Sequence, residues 1–326
     1  MTEPLRVGIL STAKIANAIL TGARLAAGAE VVAVASRDDG RAEAYAAEKG
    51  IPRAHGSYEA LLADGDVEAV YVPLPNSLHV PWAIKALEAG KHVLCEKPLS
   101  RRAADVEAAF DAAERAGRIL MEAFMWRYHP ATEKVVSLVG EGAVGELRVV
   151  RAAFGFTLHP EADNVRWSGE LDGGALMDVG CYCVSALRLL AGEPERVSAE
   201  LVDGGDGVDA RLAGLARFGG DVLGTFDCSF DVPYRAAIEV VGSTGTIASL
   251  DPWHGRSPAV RILREDAAPE EVPVEAADPY ARELDDLARA VREGGAPRLG
   301  REDAVGQART IEALYRAAAD GGPVPV

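Results

Sequence analysis

Cysteine is scarce in this chain of 326 residues: there are four, Cys95, Cys181, Cys183 and Cys228, and none stands in CxxC spacing. That excludes a disulfide scaffold and makes a reducing, cytoplasmic setting the expectation. Cys181 and Cys183 can be read as metal ligands, but without CxxC spacing no metal is expected. Positive charge is also in deficit, with 34 basic against 50 acidic side chains and a net charge of −16. No block of like charge forms a basic arm, so nucleic acid and anionic membranes are poor partners. Long apolar runs are missing, and nothing approaches the roughly 20 residues that cross a bilayer. The opening Met1-Thr2-Glu3-Pro4-Leu5-Arg6 lacks the basic and apolar regions of a secretory signal. There is no internal repeat and no long linker. The length is ample for roughly two domains of about 100 to 200 residues each.

Periodicity divides the chain. In the first third short apolar runs alternate with amphipathic stretches. Leu5 to Leu10, Glu30 to Ala35, Val67 to Val72, His92 to Cys95 and Ile119 to Ala123 read as strands. Ser11 to Ala27, Arg41 to Lys49, Leu78 to Ala89 and Arg102 to Ala116 read as helices, the last two closed by Gly90 and Gly117. This beat predicts an α/β domain over 1–124, a doubly wound parallel sheet of Rossmann type. Beyond Ala143 strands follow one another: Leu147 to Phe156, Val197 to Val202, Arg211 to Phe218, Val222 to Phe230 and Ala236 to Val241. They predict an α+β domain over 125–326 on a largely antiparallel open sheet. Helices at Met177 to Ala191, Tyr280 to Val291 and Arg301 to Ala319 are expected to cover one face of it.

Chemistry-bearing residues fall at the strand ends, where open α/β sheets bind ligands. Glu96-Lys97-Pro98 closes the fourth apolar run, and the competing account is a strand end with solvated charges. After the first strand comes Gly8-Ile9-Leu10-Ser11-Thr12-Ala13-Lys14-Ile15-Ala16, with Ser11, Ala13 and Ala16 at the three positions of a GxGxxG turn. A phosphate there meets amides at a helix N-terminus, although a β-carbon at Ala13 narrows the approach. At the end of the second strand an acidic residue would select NAD(H); here stand Ser36 and Arg37, with Arg41 one turn on. A hydroxyl and guanidinium groups suit a 2′-phosphate, hence NADP(H) over NAD(H), and Asp38 and Asp39 are the dissent. Asn76 and His79 follow the next strand, placed for the ribose or pyrophosphate, with helix capping the alternative for His79.

Four segments together carry a family resemblance: GILSTAKIA, the run VPLPNSLH from Val72 to His79, the EKP at 96 to 98, and Gly173-Gly174-Ala175-Leu176-Met177-Asp178-Val179-Gly180-Cys181-Tyr182. In order and spacing, over essentially the whole chain, they resemble the Gfo/Idh/MocA oxidoreductases. The resemblance implies a Rossmann domain followed by an α+β domain whose open sheet forms a subunit interface, and thus a homodimer or homotetramer. It implies that Lys97 is catalytic, that Pro73 and Leu74 join Asn76, His79 and Glu96 around the cofactor, and that the Lys97-Pro98 bond is cis. It also implies that the segment 122–128, with Trp126 and Arg127, lies beside the nicotinamide. Many members carry histidine where this chain has Tyr182. Tyrosine there is similar to the branch of dimeric dihydrodiol dehydrogenase, glucose-fructose oxidoreductase, NADP-dependent xylose dehydrogenases and deoxysugar ketoreductases.

Hydride transfer between nicotinamide and a carbonyl needs a proton donor at the developing alkoxide. A phenol, with a reference pKa near 10, is a poor base at neutral pH unless a neighbouring ammonium stabilises the phenolate. Tyr182 with Lys97 meets that requirement. Asp178, four residues before Tyr182, shares its face of a helix and can orient substrate hydroxyls; its alternative role is to favour the helix dipole. Trp126 reads as an aromatic wall or as core, Arg127 as a cation for a polyhydroxylated substrate. Asn164, Arg166 and Tyr280 are candidate substrate contacts. The expected function is an NADP(H)-dependent oxidoreductase of a sugar, polyol or cyclic diol. The alternatives are a ketoreductase of a keto-deoxysugar, nucleotide-linked or free, and a non-catalytic dinucleotide-binding regulator.

Overall fold

A computed structural model describes residues 3–160, 164–255 and 258–326; Met1 and Thr2 of the opening segment lie outside them. The chain divides into two compact units. One comprises 1–100, 104–125 and 278–305, the other 101–103, 126–277 and 306–326.

The first unit alternates strand and helix from its start: β1 (Leu5–Leu10), α1 (Ala16–Leu25), β2 (Ala29–Ala35), α2 (Asp39–Lys49), β3 (Arg53–His55), α3 (Tyr58–Leu62), β4 (Ala69–Val72), α4 (His79–Glu88), β5 (His92–Glu96), α5 (Ala103–Ala116) and β6 (Leu120–Ala123). The strands form a six-stranded sheet in the order β3-β2-β1-β4-β5-β6, and every pairing is parallel. Because the order reverses between β1 and β4, the crevice of a doubly wound sheet opens at the C-terminal ends of these two strands. The strands β1, β4, β5 and β6 are buried along almost their whole length, with Val7, Ile9, Val70, Tyr71, Val93 and Leu94 fully enclosed; this is why they read as apolar runs rather than alternations. β3 and α3 went unread because three half-buried residues and one turn of helix carry too little period to register.

The second unit contains α6 (Pro130–Gly140), β7 (Leu147–Gly155), α7 (Cys181–Ala191), β8 (Pro194–Gly205), β9 (Val208–Phe218), β10 (Leu223–Ser229), β11 (Arg235–Gly242), β12 (Thr246–Leu250), β13 (Ala259–Leu263) and β14 (Glu270–Val272). The chain then runs through α8 (Pro279–Glu293) and α9 (Arg301–Asp320) to β15 (Val324–Pro325). The second sheet has nine strands in the order β14-β13-β12-β11-β7-β10-β9-β8-β15. It is antiparallel except for the β7–β10 pair. α7 packs on β7 and β10, and α6 on β12 and β13. On the opposite face Leu215 and Leu223 stay exposed, among ion pairs such as Arg235–Asp227.

Two expectations need correction. The helix expected at Tyr280 to Val291 does not cover the second sheet: α8 belongs to the first unit and packs on α1. Gly22 is where it seats, since a β-carbon there would lie 2.7 Å from Tyr280 Cβ. Asp285 Oδ1 accepts from Gly28 N–H at 2.7 Å, and Arg292 pairs with Glu68 at 2.8 Å. The unit boundary near Met125 is therefore not the last one, as the segment 278–305 returns to the first unit. Second, the helix expected from Met177 begins as a π turn, Leu176–Gly180, and becomes regular only in α7. A turn closed from i to i+5 rotates Asp178 relative to Tyr182 away from simple α spacing.

Candidate active site

In the first unit, the turn after β1 takes the shape of a phosphate loop without its glycines. Ser11 adopts a positive φ of 147°, a conformation glycine favours. Its hydroxyl accepts from Ala13 N–H at 3.1 Å and donates to the Pro73 carbonyl at 3.3 Å, tying this turn to the segment after β4. The turn runs through Lys14 to Ile15, which precedes α1, and the helix has neither a side-chain cap nor an acidic residue in its first turn. No acidic side chain of the helix's own first turn competes for that helix end. At the end of β2, Ser36 is buried and Arg37 exposed. Arg41 Nε donates to Thr12 Oγ1 at 2.8 Å, which brings the α2 guanidinium beside the first turn. Arg37 and Arg41 also both act on the Tyr58 phenol, which burial pushes up. The two acids are engaged elsewhere: Asp38 caps α2 by accepting from Arg41 N–H at 2.7 Å, and the Asp39 carboxylate lies over Gly56. Two cations and a hydroxyl without a competing carboxylate fit a phosphorylated ribose.

The segments after β4 and β5 are tied to each other by His79. Its ring is 1% exposed, with Nδ1 2.8 Å from the Pro98 carbonyl and Nε2 2.7 Å from the Leu74 carbonyl. Burial, with the Lys97 ammonium adding to it, lowers its pKa to about 4. His79 is thus neither a solvated cap nor a free hand for a ribose; its neutral ring has one N–H, so it donates to one of the two carbonyls and packs against the other between the two strand-end segments, while Asn76 stays half-buried on the 3-10 turn before it. The Lys97–Pro98 peptide is cis, and Lys97 is half-buried. Glu96 Oε1 accepts from the Tyr71 hydroxyl at 2.5 Å and Oε2 from Lys97 N–H at 3.3 Å. Glu122 Oε1 accepts from Leu99 N–H at 2.8 Å, fixing the far side of the lysine segment.

In the second unit, the glycines of the segment 173–182 are each demanded by a close approach. A β-carbon on Gly173 would lie 2.4 Å from the Arg166 carbonyl oxygen, one on Gly174 2.3 Å from Asp209 Oδ1, and one on Gly180 2.6 Å from Cys228 Sγ. The turn is therefore pressed against the strands, and Tyr182, 6% exposed, lands edge-to-face on Phe154 with ring centroids 5.5 Å apart. Asp178 Oδ2 accepts from Arg166 Nε at 2.7 Å, and Asn164 caps the Val165–Trp167 turn by accepting from Arg166 N–H at 3.1 Å. Arg127 Nη1 donates to Ser185 Oγ at 3.3 Å, on the helix that carries Tyr182. Arg127, Asn164, Arg166, Asp178 and Tyr182 thus belong to one unit, whereas Lys97, Glu96 and the dinucleotide residues belong to the other.

Two candidates change role. Trp126 is fully buried, edge-to-face on Trp253 at 5.3 Å, and its ring is core rather than wall. Tyr280 opens α8 in the first unit, beside Gly22. Three contributors escaped the sequence. Tyr71 is hidden in an apolar run, and nothing local marks Glu122 or Asp209 as buried acceptors. Glu283 alone carried a signal: a carboxylate on the apolar stripe of α8, fully buried, with neither oxygen hydrogen-bonded and a pKa raised well above the usual carboxylate range by burial.

Residues 5–124 match an oxidoreductase family described by its NAD-binding Rossmann fold, and residues 132–248 match the GFO/IDH/MocA C-terminal domain. A D-xylose 1-dehydrogenase (NADP(+)) of Haloferax volcanii is 44% identical over 321 residues, covering 97% of this chain and 98% of that protein. A trans-1,2-dihydrobenzene-1,2-diol dehydrogenase of Oryctolagus cuniculus is 40% identical over 247 residues, 74% of each chain. Among solved structures, a 3-ketoreductase of Actinomadura kijaniata in complex with NADP and TDP-benzene superposes with a TM-score of 0.90 at 34% identity, covering 97% of this chain and 98% of that one. A dinucleotide unit with its strand-end lysine, and a second unit whose glycine-shaped turn presents an aspartate and a tyrosine, together with likeness over nearly the full length, place this chain in the Gfo/Idh/MocA family of oxidoreductases.

Proposed function

We propose that this oxidoreductase uses NADP(H) and transfers a hydride between the nicotinamide and a sugar, polyol or cyclic diol, or the matching ketone or aldehyde. The observation that carries the reading is the turn 173–182, whose three glycines press against neighbouring backbone and side chains and so fix Asp178 and Tyr182. The bound nicotinamide supplies or accepts the hydride. Tyr182 donates its phenolic proton to the carbonyl oxygen in reduction and takes it back in oxidation. Lys97 stabilises the phenolate and the developing alkoxide. Asp178, held by Arg166, orients the substrate's hydroxyls. Ser36, Arg37 and Arg41 recognise the 2′-phosphate, as the absence of a competing carboxylate supports.

A nucleotide-linked keto-deoxysugar is the second reading, favoured by the relative solved with TDP-benzene. A diphosphate needs a basic contact, and Arg166 in the second unit already serves Asp178, which favours the uncharged polyol. A regulatory role without catalysis would not need Lys97 and Tyr182 together. The four cysteines are free and buried, in keeping with a cytoplasmic protein, and no described helix is long and apolar enough to cross a membrane. The open face of the nine-stranded sheet, with Leu215 and Leu223 exposed, suits a homodimer or homotetramer.

The test is NADPH oxidation against a panel of aldoses, ketoses and diketones. Turnover is expected with at least one, and Tyr182→Phe and Lys97→Met should each lower kcat by about a hundredfold or more with NADPH binding retained. Tight NADPH binding without turnover across the panel would move the chain to the regulators.

A further inference from the structure

We infer that Asp209 is a positioning residue for the proton-transfer turn, holding Asp178 and Tyr182 in register together with Tyr315 and Arg101; this rests on the reading of Tyr182 as the acid/base. All these residues lie in the second unit. Asp209, on β9, is 1% exposed. Its Oδ2 accepts from Leu176 N–H at 2.7 Å, at the first residue of the π turn, and its Oδ1 accepts from the Tyr315 hydroxyl at 2.8 Å. The Leu176 amide is one of the N-terminal groups a helix leaves unpaired, and a carboxylate there also meets the positive end of the helix dipole. Space for that carboxylate exists because Gly174, at a φ of 112°, has no β-carbon to fill it. The same glycine's carbonyl accepts from Asp178 N–H at 3.0 Å.

Tyr315, on α9, is itself held. The Arg101 guanidinium stacks over its ring at 4.1 Å and pairs with Asp172 at 3.6 Å, just before Gly173. The turn is therefore gripped from two sides, at Asp172 by Arg101 and at Leu176 by Asp209, with Tyr315 joining the two grips. Burial pushes the Asp209 carboxyl up, while the Leu176 amide, the Tyr315 hydroxyl and Arg101 pull it back toward the charged form. None of these side chains is required to touch substrate. They fix the starting point from which Asp178 and Tyr182 project.

The experiment measures kcat per NADPH-binding site, the KM for NADPH and the KM for the best panel substrate in Asp209→Ala, Asp209→Asn and Tyr315→Phe, each also on a Tyr182→Phe background. Asp209→Ala should lower kcat about tenfold to a hundredfold with the NADPH KM within about twofold, the scale of a misplaced reacting group. Asp209→Asn, which keeps an acceptor for Leu176 N–H, should recover part of the loss, and Tyr315→Phe, which removes one bond and keeps the ring, should lose less. On the Tyr182→Phe background Asp209→Ala should change the residual rate little. Normal kcat per site in Asp209→Ala, or an equal loss on both backgrounds, would overturn the inference. Near-normal turnover of Tyr182→Phe itself would instead overturn the acid/base reading on which it stands.

Discussion

Arg37 follows a buried serine at the end of β2, and nothing acidic faces its guanidinium from Asp38 or Asp39. If it holds the 2′-phosphate, Arg37→Ala removes a charge-assisted hydrogen bond of about 1.5 to 3 kcal/mol. Affinity for NADPH should then fall about tenfold or more while that for NADH stays level, read by titrating the quenching of protein fluorescence with each coenzyme. An unchanged ratio would leave Arg37 outside the coenzyme site. This position was legible because a strand end and a residue type suffice to state it. The support beneath Lys97 was not legible. Tyr71, His79 and Glu122 grip the lysine segment across 25, 19 and 23 positions of sequence, and such grips depend on which strands become neighbours.

In the second unit a π turn stands in place of regular helix at Leu176–Gly180 and carries Asp178. Gly180 leaves no room for a side chain, since an added β-carbon meets Cys228 Sγ at 2.6 Å and Leu176 Cδ1 at 2.8 Å. Gly180→Ala should therefore destabilise the protein by about 1 to 3 kcal/mol through overpacking. It should also depress kcat beyond the loss of folded protein, because relief comes by moving the turn away from β10. Thermal denaturation alongside kcat per NADPH-binding site separates the two effects, and normal kcat in the folded fraction would detach the turn's position from the chemistry. The glycine spacing stood in the sequence; the wider turn did not, since one extra residue per turn alters no residue type. α6 also went unread, although His129 as N-cap and Pro130 at the first helical position are ordinary start signals. β12 to β14 escaped because strands of three to five residues show little period.

Across the whole molecule, acid should act first on the dinucleotide unit. His79 and His92 are lowered from 6.5 to about 4, His92 by burial and then by Arg118. His92 Nδ1 accepts from Ile119 N–H at 3.0 Å, which only the neutral ring can do. These histidines stabilise the fold fully above pH 6.5 and lose that contribution as pH falls toward 4. Glu68, lowered from 4.5 to about 2 chiefly by the hydrogen bonds from Arg292, contributes above 4.5 and loses its share as pH falls through about 2. Tm should thus begin to drop below pH 6.5 rather than below 4.5, and His92→Asn, an acceptor that does not titrate, should flatten the first part of the fall. An identical curve in that variant would acquit His92. The Glu68–Arg292 pair fastens the sheet to α8, a helix whose apolar stripe announced burial without saying against which sheet. That attachment also sets an order of events at the ribosome. All six strands of the first sheet have been translated by residue 123, yet the helix that seats against Gly22 is encoded more than 150 positions later. The nascent dinucleotide unit must wait, its α1 flank uncovered, until nearly the whole chain has been made.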